Sequence, residues 1–326
     1  MASFRYDSKG TFSIDELFQK PQRFIRLRFV FTVQMFSVIV LKRFLARNMG
    51  SQVLEKRIYY GSFSVNRQET ITPGYRLLSF HSPEIASAAT PGQFLMLKID
   101  RSFDPLLPRP MSLHSIIKDG NRCIGFTILY KIVGRGTRLL SEKRSGDKLG
   151  IIGPLGKGFN LDRLTPGYEP IIVGGGIGTA PLLFLACELV ERGWSPSVFL
   201  GANSKEELLR LDEFESLGVT PRVSTDDGSK GEKGMVTDLL GSYLGGSKGV
   251  QGEVFACGPP LMLKEVVSLV RRYGLNSQLS LEQRMACGLG ACLGCVVRIK
   301  SKKGNQLSYQ RVCTEGPVFN GEDVLW

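Results

Sequence analysis

Between residues 170 and 275 the chain alternates short apolar runs with segments whose apolar side chains recur at three- and four-residue spacing. The runs at 170–173, 197–200, 222–225 and 253–256 predict strands, and the segments at 180–192, 205–217, 236–244 and 260–273 predict amphipathic helices. Strands and helices in strict alternation form right-handed βαβ units, so this part predicts a doubly wound parallel sheet with helices on both faces. Upstream the rhythm changes. Strand-like runs at 75–80, 93–99, 123–132 and 148–152 are punctuated by Pro91-Gly92, Asp119-Gly120 and Ser145-Gly146-Asp147, the pattern of a small antiparallel barrel. Near the C-terminus two short runs, 296–299 and 307–309, predict the strands of a hairpin. The expected organisation is multidomain, α/β plus all-β: an extension over 1–50, a barrel over 53–160, a parallel α/β unit over 168–276 and a small unit over 278–326.

Composition narrows the classes. A chain of 326 residues has room for two or three domains of about 100–150 residues each, and 42% hydrophobic with 22% charged residues is a soluble, globular balance. The net charge of +12 points to nucleic acid only until it is located. Residues 1–50 hold nine Lys and Arg against three Asp and Glu, which is half of the excess. The remainder is dispersed without interleaved aromatics, so no nucleic-acid surface is expected. Within the extension, residues 22–47 combine an apolar centre with basic flanks. The charge-free stretch 29–41 is shorter than the roughly 20 residues of a spanning helix, so no membrane crossing is expected. Asp7, Asp15 and Glu16 argue against a signal peptide. An interfacial helix, a transit-like segment and a start of translation near Met49 all stay open.

The two histidines, His81 and His114, stand far apart and are expected to be surface or packing residues. That sets aside a histidine-based hydrolase triad or zinc enzyme. The seven cysteines are an odd number and make a complete disulfide framework a poor expectation, favouring a reducing compartment, the cytoplasm or an organelle matrix.

Four of those cysteines carry the strongest chemical signal. Cys287, Cys292 and Cys295 stand in C-x4-C-x2-C spacing within a glycine-rich loop, with Cys313 further on, as in plant-type [2Fe–2S] ligation. Gly288, Gly290 and Gly294 let the backbone wrap an inorganic core and aim amides at its sulfurs. Four cysteines also suit structural zinc, which stays open at this point, although zinc sites usually present two short pairs.

Two further constellations precede the cysteines. In the barrel, Arg109-Pro110-Met111-Ser112 forms a rigid extended turn with a guanidinium fork for a pyrophosphate and a hydroxyl for a phosphate or flavin edge. Leu129-Tyr130-Lys131 then leads into Gly134-Arg135-Gly136-Thr137, a glycine turn that would admit a phosphate at a helix start. In the α/β unit, the first strand ends in Gly174-Gly175-Gly176-Ile177-Gly178-Thr179, a further pyrophosphate site at a helix N-terminus. Cys257-Gly258-Pro259 and Thr225-Asp226-Asp227-Gly228 close two more strands, where ligands of doubly wound sheets collect. Asp226 is expected either to meet ligand or to belong to an Asx turn.

RPMS, then LYK with GRGT, then IIGPLGKGF resembles the FAD domain of the ferredoxin–NADP reductase superfamily. The resemblance implies that Arg109 and Ser112, with Pro110 and Met111, hold the flavin side. Leu129, Tyr130 and Lys131 would lie by the isoalloxazine or ribityl, and Gly136 and Thr137 would grip the pyrophosphate. It also implies that Gly175, Gly176, Gly178, Thr179, Gly258 and Pro259 flank the nicotinamide, with Cys257 near the hydride-transfer position. The loop after the second strand offers only Lys205 for a 2′-phosphate, so NAD is expected over NADP. The run from Leu281 through Cys287, the RVCTEGPVF segment at 311–319 and the TDDGSKGEKGMVTD segment are similar to one branch, the electron-transfer subunits of NAD-linked dihydroorotate dehydrogenase. That branch implies FAD, a [2Fe–2S] cluster on Cys287, Cys292, Cys295 and Cys313, and NAD. It further implies a separate FMN-containing catalytic subunit, in a heterotetramer.

Because NAD exchanges hydride and a cluster single electrons, a flavin must stand between them. The expected activity is therefore a relay between the partner flavin and NAD, serving dihydroorotate oxidation to orotate in pyrimidine biosynthesis. Two alternatives stay open. One is an NAD(P)H–acceptor reductase subunit of a hydrogenase, sulfide dehydrogenase or ferredoxin complex; the other is a non-catalytic iron–sulfur sensor.

Overall fold

A computed structural model of the chain describes residues 58–99, 104–247, 249–300 and 307–326. The basic, apolar segment at 22–47 and the stretch 301–306 between the two runs expected to pair as a hairpin lie outside the described residues.

Seven strands form the antiparallel part: β1 (Tyr59–Thr72), β2 (Tyr75–His81), β3 (Phe94–Lys98), β4 (Arg109–Ser112), β5 (Ser115–Asp119), β6 (Arg122–Lys131) and β7 (Lys148–Leu155). Their order across the sheet is β4-β3-β7-β1-β2-β6-β5. Strands β4 and β5 are therefore opposite edges, yet only Leu113 and His114 separate them. The Leu113 amide donates to the Gln93 carbonyl at 3.2 Å and the His114 amide to the Thr127 carbonyl at 2.9 Å. The chain itself thus joins the two edges and curls the sheet around Leu78, Phe80, Leu95, Leu97, Phe126 and Ile128. The expected turn at Arg109–Ser112 is a strand instead. Pro110 is tolerated because β4 is an edge, where a missing N–H leaves no ladder bond unmade. Two short helices interrupt the strand series, α1 (Pro83–Ala88) between β2 and β3, capped by the Ser82 hydroxyl on the Ile85 amide, and α2 (Arg135–Ser141) between β6 and β7.

The second sheet contains β8 (Glu169–Gly175), β9 (Ser197–Ala202), β10 (Arg222–Thr225), β11 (Glu232–Lys233), β12 (Gly252–Cys257) and β13 (Asn276–Ser280), all parallel. Strand β16 (Val318–Asn320), from the tail, adds an antiparallel edge on β13. Helices α3 (Ala180–Glu191), α5 (Val236–Gly246) and α6 (Pro260–Arg272) fall where their apolar periodicity placed them. The tail hairpin is present as β14 (Val296–Lys300) and β15 (Leu307–Arg311).

The single helix expected over 205–217 is broken in two. A 3-10 turn at Lys205–Glu207 is followed, after a gap, by α4 (Leu211–Ser216). The break falls at Arg210, which is left-handed at φ 56° and bonds the Glu213 carboxylate. Leu209 is buried beside Tyr75, Leu129 and Ala180, and Glu207 is drawn to the barrel by Tyr75 and Lys131. These contacts outweigh helix propensity, which differs by only tenths of a kcal/mol between ordinary residues.

His81 is exposed, and His114 is buried with its ring nitrogens facing the Ala180 carbonyl at 2.6 Å and the Glu213 carboxylate at 3.1 Å. No helix among the described residues is long and apolar enough to cross a membrane.

One buried acid makes a stability prediction. Glu253 in β12 is fully buried; Oε1 accepts from the Gln278 amide at 3.0 Å, while Oε2 has no partner among the described residues. Burial raises its pKa, opposed by the Gln278 bond and the Arg163 charge. A carboxyl raised in the folded state contributes stability that is complete below the ordinary value of 4.5 and is lost as pH climbs through the raised value. Glu253→Gln is expected to add about 1 kcal/mol at neutral pH and to flatten this loss. Urea midpoints measured across the acidic-to-neutral range check it; a less stable variant at neutral pH would contradict it.

Candidate functional site

Strand β8 has β9 on one side and β12 on the other, so the chain reverses direction across the sheet at that point. Crevices at the carboxyl ends of such strands are where doubly wound sheets hold ligands. The loop after β8 carries Gly176, Ile177, Gly178 and Thr179 as a 3-10 turn leading into α3. It lies directly on the loop after β12. A Cβ at Gly178 would come within 2.4 Å of the Cys257 carbonyl oxygen and 2.6 Å of the Gly258 Cα. Gly175 faces Met262 and Pro259 in the same way. The structure therefore gathers Gly175, Gly176, Gly178, Thr179, Cys257, Gly258 and Pro259 at one crevice. The Cys257 thiol is buried, and burial pushes it up to about 12 against a weaker pull from the Ser280 hydroxyl, so it stays neutral near pH 7.

Asp226 stands apart from that group, exposed at the end of β10. Its amide donates to the Ala202 carbonyl at 3.1 Å, which ties it to the loop after β9. The neighbouring Asp227 closes the expected Asx turn, accepting from the Ser229 amide at 2.9 Å.

On the barrel, Arg109, Pro110, Met111 and Ser112 are half-buried along β4. The Arg109 guanidinium leans over the start of α2: a Cβ at Gly136 would meet its Nε at 2.4 Å. The Ser112 hydroxyl has no partner among the described residues. A fork over a bare backbone turn, with a hydroxyl further along β4, suits a phosphorylated, planar ligand. Two expected contacts are differently employed. The Thr137 hydroxyl accepts from the Val133 and Gly134 amides at 2.9 and 3.1 Å, shaping its own turn. Tyr130 turns into the barrel, its hydroxyl donating to Gln68 at 3.1 Å, so β6 can offer backbone there and not the ring. Leu129 packs with Ala180 and Ile177, joining this strand to the loop after β8.

The cysteines divide two and two. Cys287 and Cys292 sulfurs are 3.4 Å apart, and Cys313 is hydrogen-bonded to Cys295. Pairs of thiols of this kind suit the two irons of a [2Fe–2S] cluster, each held by two thiolates. Amides face the sulfurs: Leu289 N–H reaches Cys287 at 3.4 Å and Gly294 N–H reaches Cys292 at 3.5 Å. The Gly294 and Cys287 amides hold the exposed Cys292 thiol down at about 7, a ready thiolate. Burial and the neighbouring Cys295 push Cys313 up to about 12, so its proton would leave only to bound metal. Gly288 and Gly290 are left-handed as wrapping requires, but the third left-handed residue is Leu293 and not Gly294.

The cluster loop rests on the barrel. A Cβ at Gly288 would strike Met96 Cγ at 2.4 Å, and Met96 is the ladder partner of Pro110 in β4. Met96, Leu155, Cys295, Cys313, Met285 and Leu289 share one apolar core. Met96 and Gln68 carry no motif; only their place in β3 and β1, set by long-range pairing, brings them to the site.

The profile of the iron-sulfur cluster binding domain of dihydroorotate dehydrogenase B matches residues 282–325. The dihydroorotate dehydrogenase B (NAD(+)) electron transfer subunit of Desulforamulus reducens is 38% identical over 256 residues, covering 78% of this chain and 94% of that protein. The same subunit of Fusobacterium nucleatum is 40% identical over 240 residues, covering 74% and 88%. Among solved structures, a chain of an NADH-dependent reduced ferredoxin-NADP oxidoreductase, studied for flavin-based electron bifurcation, aligns with a TM-score of 0.69 at 29% identity. It covers 85% of this chain and 92% of that one.

Proposed function

The chain belongs to the family of electron transfer subunits of NAD-linked dihydroorotate dehydrogenase B, and from that premise we propose how its residues do the work. Arg109, Ser112 and the backbone of Leu129–Tyr130 and Arg135–Thr137 hold FAD; the loops after β8, β10 and β12 hold NAD; Cys287, Cys292, Cys295 and Cys313 hold a [2Fe–2S] cluster. When bound, FAD supplies the exchange between a hydride pair and single electrons that neither NAD nor a cluster can make alone.

This chain's own groups bind and orient. Arg109 neutralises a pyrophosphate, and the bare Gly136 backbone lets it come close. Gly178 and Gly258 leave room for the nicotinamide beside Cys257, whose thiol, neutral near pH 7, lines the hydride path without placing a charge on it. Met96, Leu155 and Leu289 exclude water between the thiols and β4.

The catalytic partner is an FMN-containing subunit that oxidises dihydroorotate, joined in a heterotetramer in the cytoplasm, where four thiols stay reduced. The observation that carries this reading is the seam itself: the cluster loop meets β4 through Met96, and the loop after β8 meets β6 through Leu129. A second reading, a reductase subunit serving ferredoxin, hydrogenase or sulfide dehydrogenase, draws on the solved-structure likeness. Affinity purification from cells producing the FMN subunit separates the two. Recovery of a stable complex that oxidises dihydroorotate supports the first; recovery with a hydrogenase or ferredoxin system alone overturns it.

A further inference from the structure

Successive residues of a strand project to opposite faces. With Tyr130 turned into the barrel, Lys131 turns out of it and away from the face its neighbours share. Its ammonium lies 2.9 Å from Oε1 of Glu207, and the Tyr75 hydroxyl donates to the same oxygen at 3.0 Å. The ammonium also sits 4.9 Å from the centre of the Tyr75 ring. Glu207 belongs to the turn after β9, in the other sheet.

The contacts continue beyond that carboxylate. Glu207 Oε2 accepts from the Asn203 side-chain amide at 2.6 Å. The Asn203 carbonyl accepts from the Asp227 amide at 3.2 Å, and the Lys205 amide donates to the Ser229 hydroxyl at 2.8 Å. One carboxylate thus ties the barrel to both loops at the carboxyl ends of β9 and β10. In a doubly wound sheet the loop after the second strand meets the adenosine ribose. Glu207 already accepts from three donors, chief among them Lys131, which lowers its pKa most. It is built as a brace.

We propose that Lys131 is a positioning residue for the adenosine half of NAD, acting through Glu207 on the Asn203–Lys205 loop, and that its ammonium has no part in holding the flavin. The inference rests on the NAD-linked electron carrier reading above. It explains why the expected helix at 205–217 is broken: the turn is set by the barrel before α4 begins.

The test uses the full chain loaded with FAD and cluster, with ferricyanide as the electron acceptor. Lys131→Met is expected to raise KM for NADH about fivefold to tenfold, the scale of one lost charge-assisted bond, with kcat and bound FAD steady. Lys131→Arg should recover most of that rise. Glu207→Gln should give a similar rise, and the double variant should add little to either, because the two act as one unit. Loss of FAD from Lys131→Met, an unchanged KM, or fully additive effects would each overturn the proposal. Calorimetric titration with NAD⁺ reads the same loop without turnover. A wild type that binds NAD⁺, with affinity weakened by Lys131→Met, but does not pass electrons would sink the carrier reading and leave the brace standing.

Discussion

Replacing Cys292 with alanine should remove the visible absorbance of the cluster and cut dihydroorotate-dependent reduction of NAD⁺ by more than about 100-fold, while FAD stays bound. The magnitude follows from the proposed site, since even outer-shell partners of a bound metal contribute about 10–100-fold and Cys292 is proposed as a direct ligand. Cys292 is the informative choice among the four. Cys295 and Cys313 are buried in the core shared with Met96 and Leu155, so their loss would also disturb packing. Cys292 is exposed and touches little beyond Cys287 and the Gly294 amide. NADH-driven reduction of ferricyanide needs only the flavin and nucleotide sites, and it should survive. Absorbance, FAD content and the two assays on one preparation check this. Loss of FAD together with the cluster would show that the cysteines chiefly hold the fold.

Gly178→Ala should have the complementary effect. The new methyl would lie 2.4 Å from a backbone carbonyl oxygen of the adjacent strand end, which no side-chain rotation can relieve. The loops after β8 and β12 must separate, and a displacement approaching 1 Å at a reacting centre can cost about 100-fold in rate. NADH-dependent reduction of ferricyanide is therefore expected to fall by about that factor, with cluster and flavin spectra unchanged. Gly246→Ala is the control, because a methyl there meets nothing within 4 Å. Full activity in Gly178→Ala would place the dinucleotide elsewhere.

The two effects separate because the sites sit on different elements, and that separation was largely visible in the sequence. Period-two and helical patterns distinguish the barrel from the parallel sheet, and cysteine spacing marks the cluster loop. What the sequence hides is set by contacts between distant residues. Arg109–Ser112 reads as a turn because Pro110 forbids a central strand; only the sheet order shows that β4 is an edge. Lys131 reads as part of a flavin motif, but strand alternation and Glu207 send it to the other sheet. Residues 205–217 have helix propensity throughout, and the break at Arg210 follows from Leu209 being buried against the barrel. Met96 joins the cluster loop to β4 with no local signal at all.

Electrons are expected to pass through this chain between a dihydroorotate-oxidising subunit and NAD. The most direct measurement combines the purified chain, loaded with FAD and cluster, with the FMN-containing subunit under anaerobic conditions, and follows NADH formation after dihydroorotate is added. NADH should form only when both subunits are present, and not with Cys292→Ala. NADH formation by the FMN subunit alone, or none with both proteins fully loaded, would show that electrons take another route.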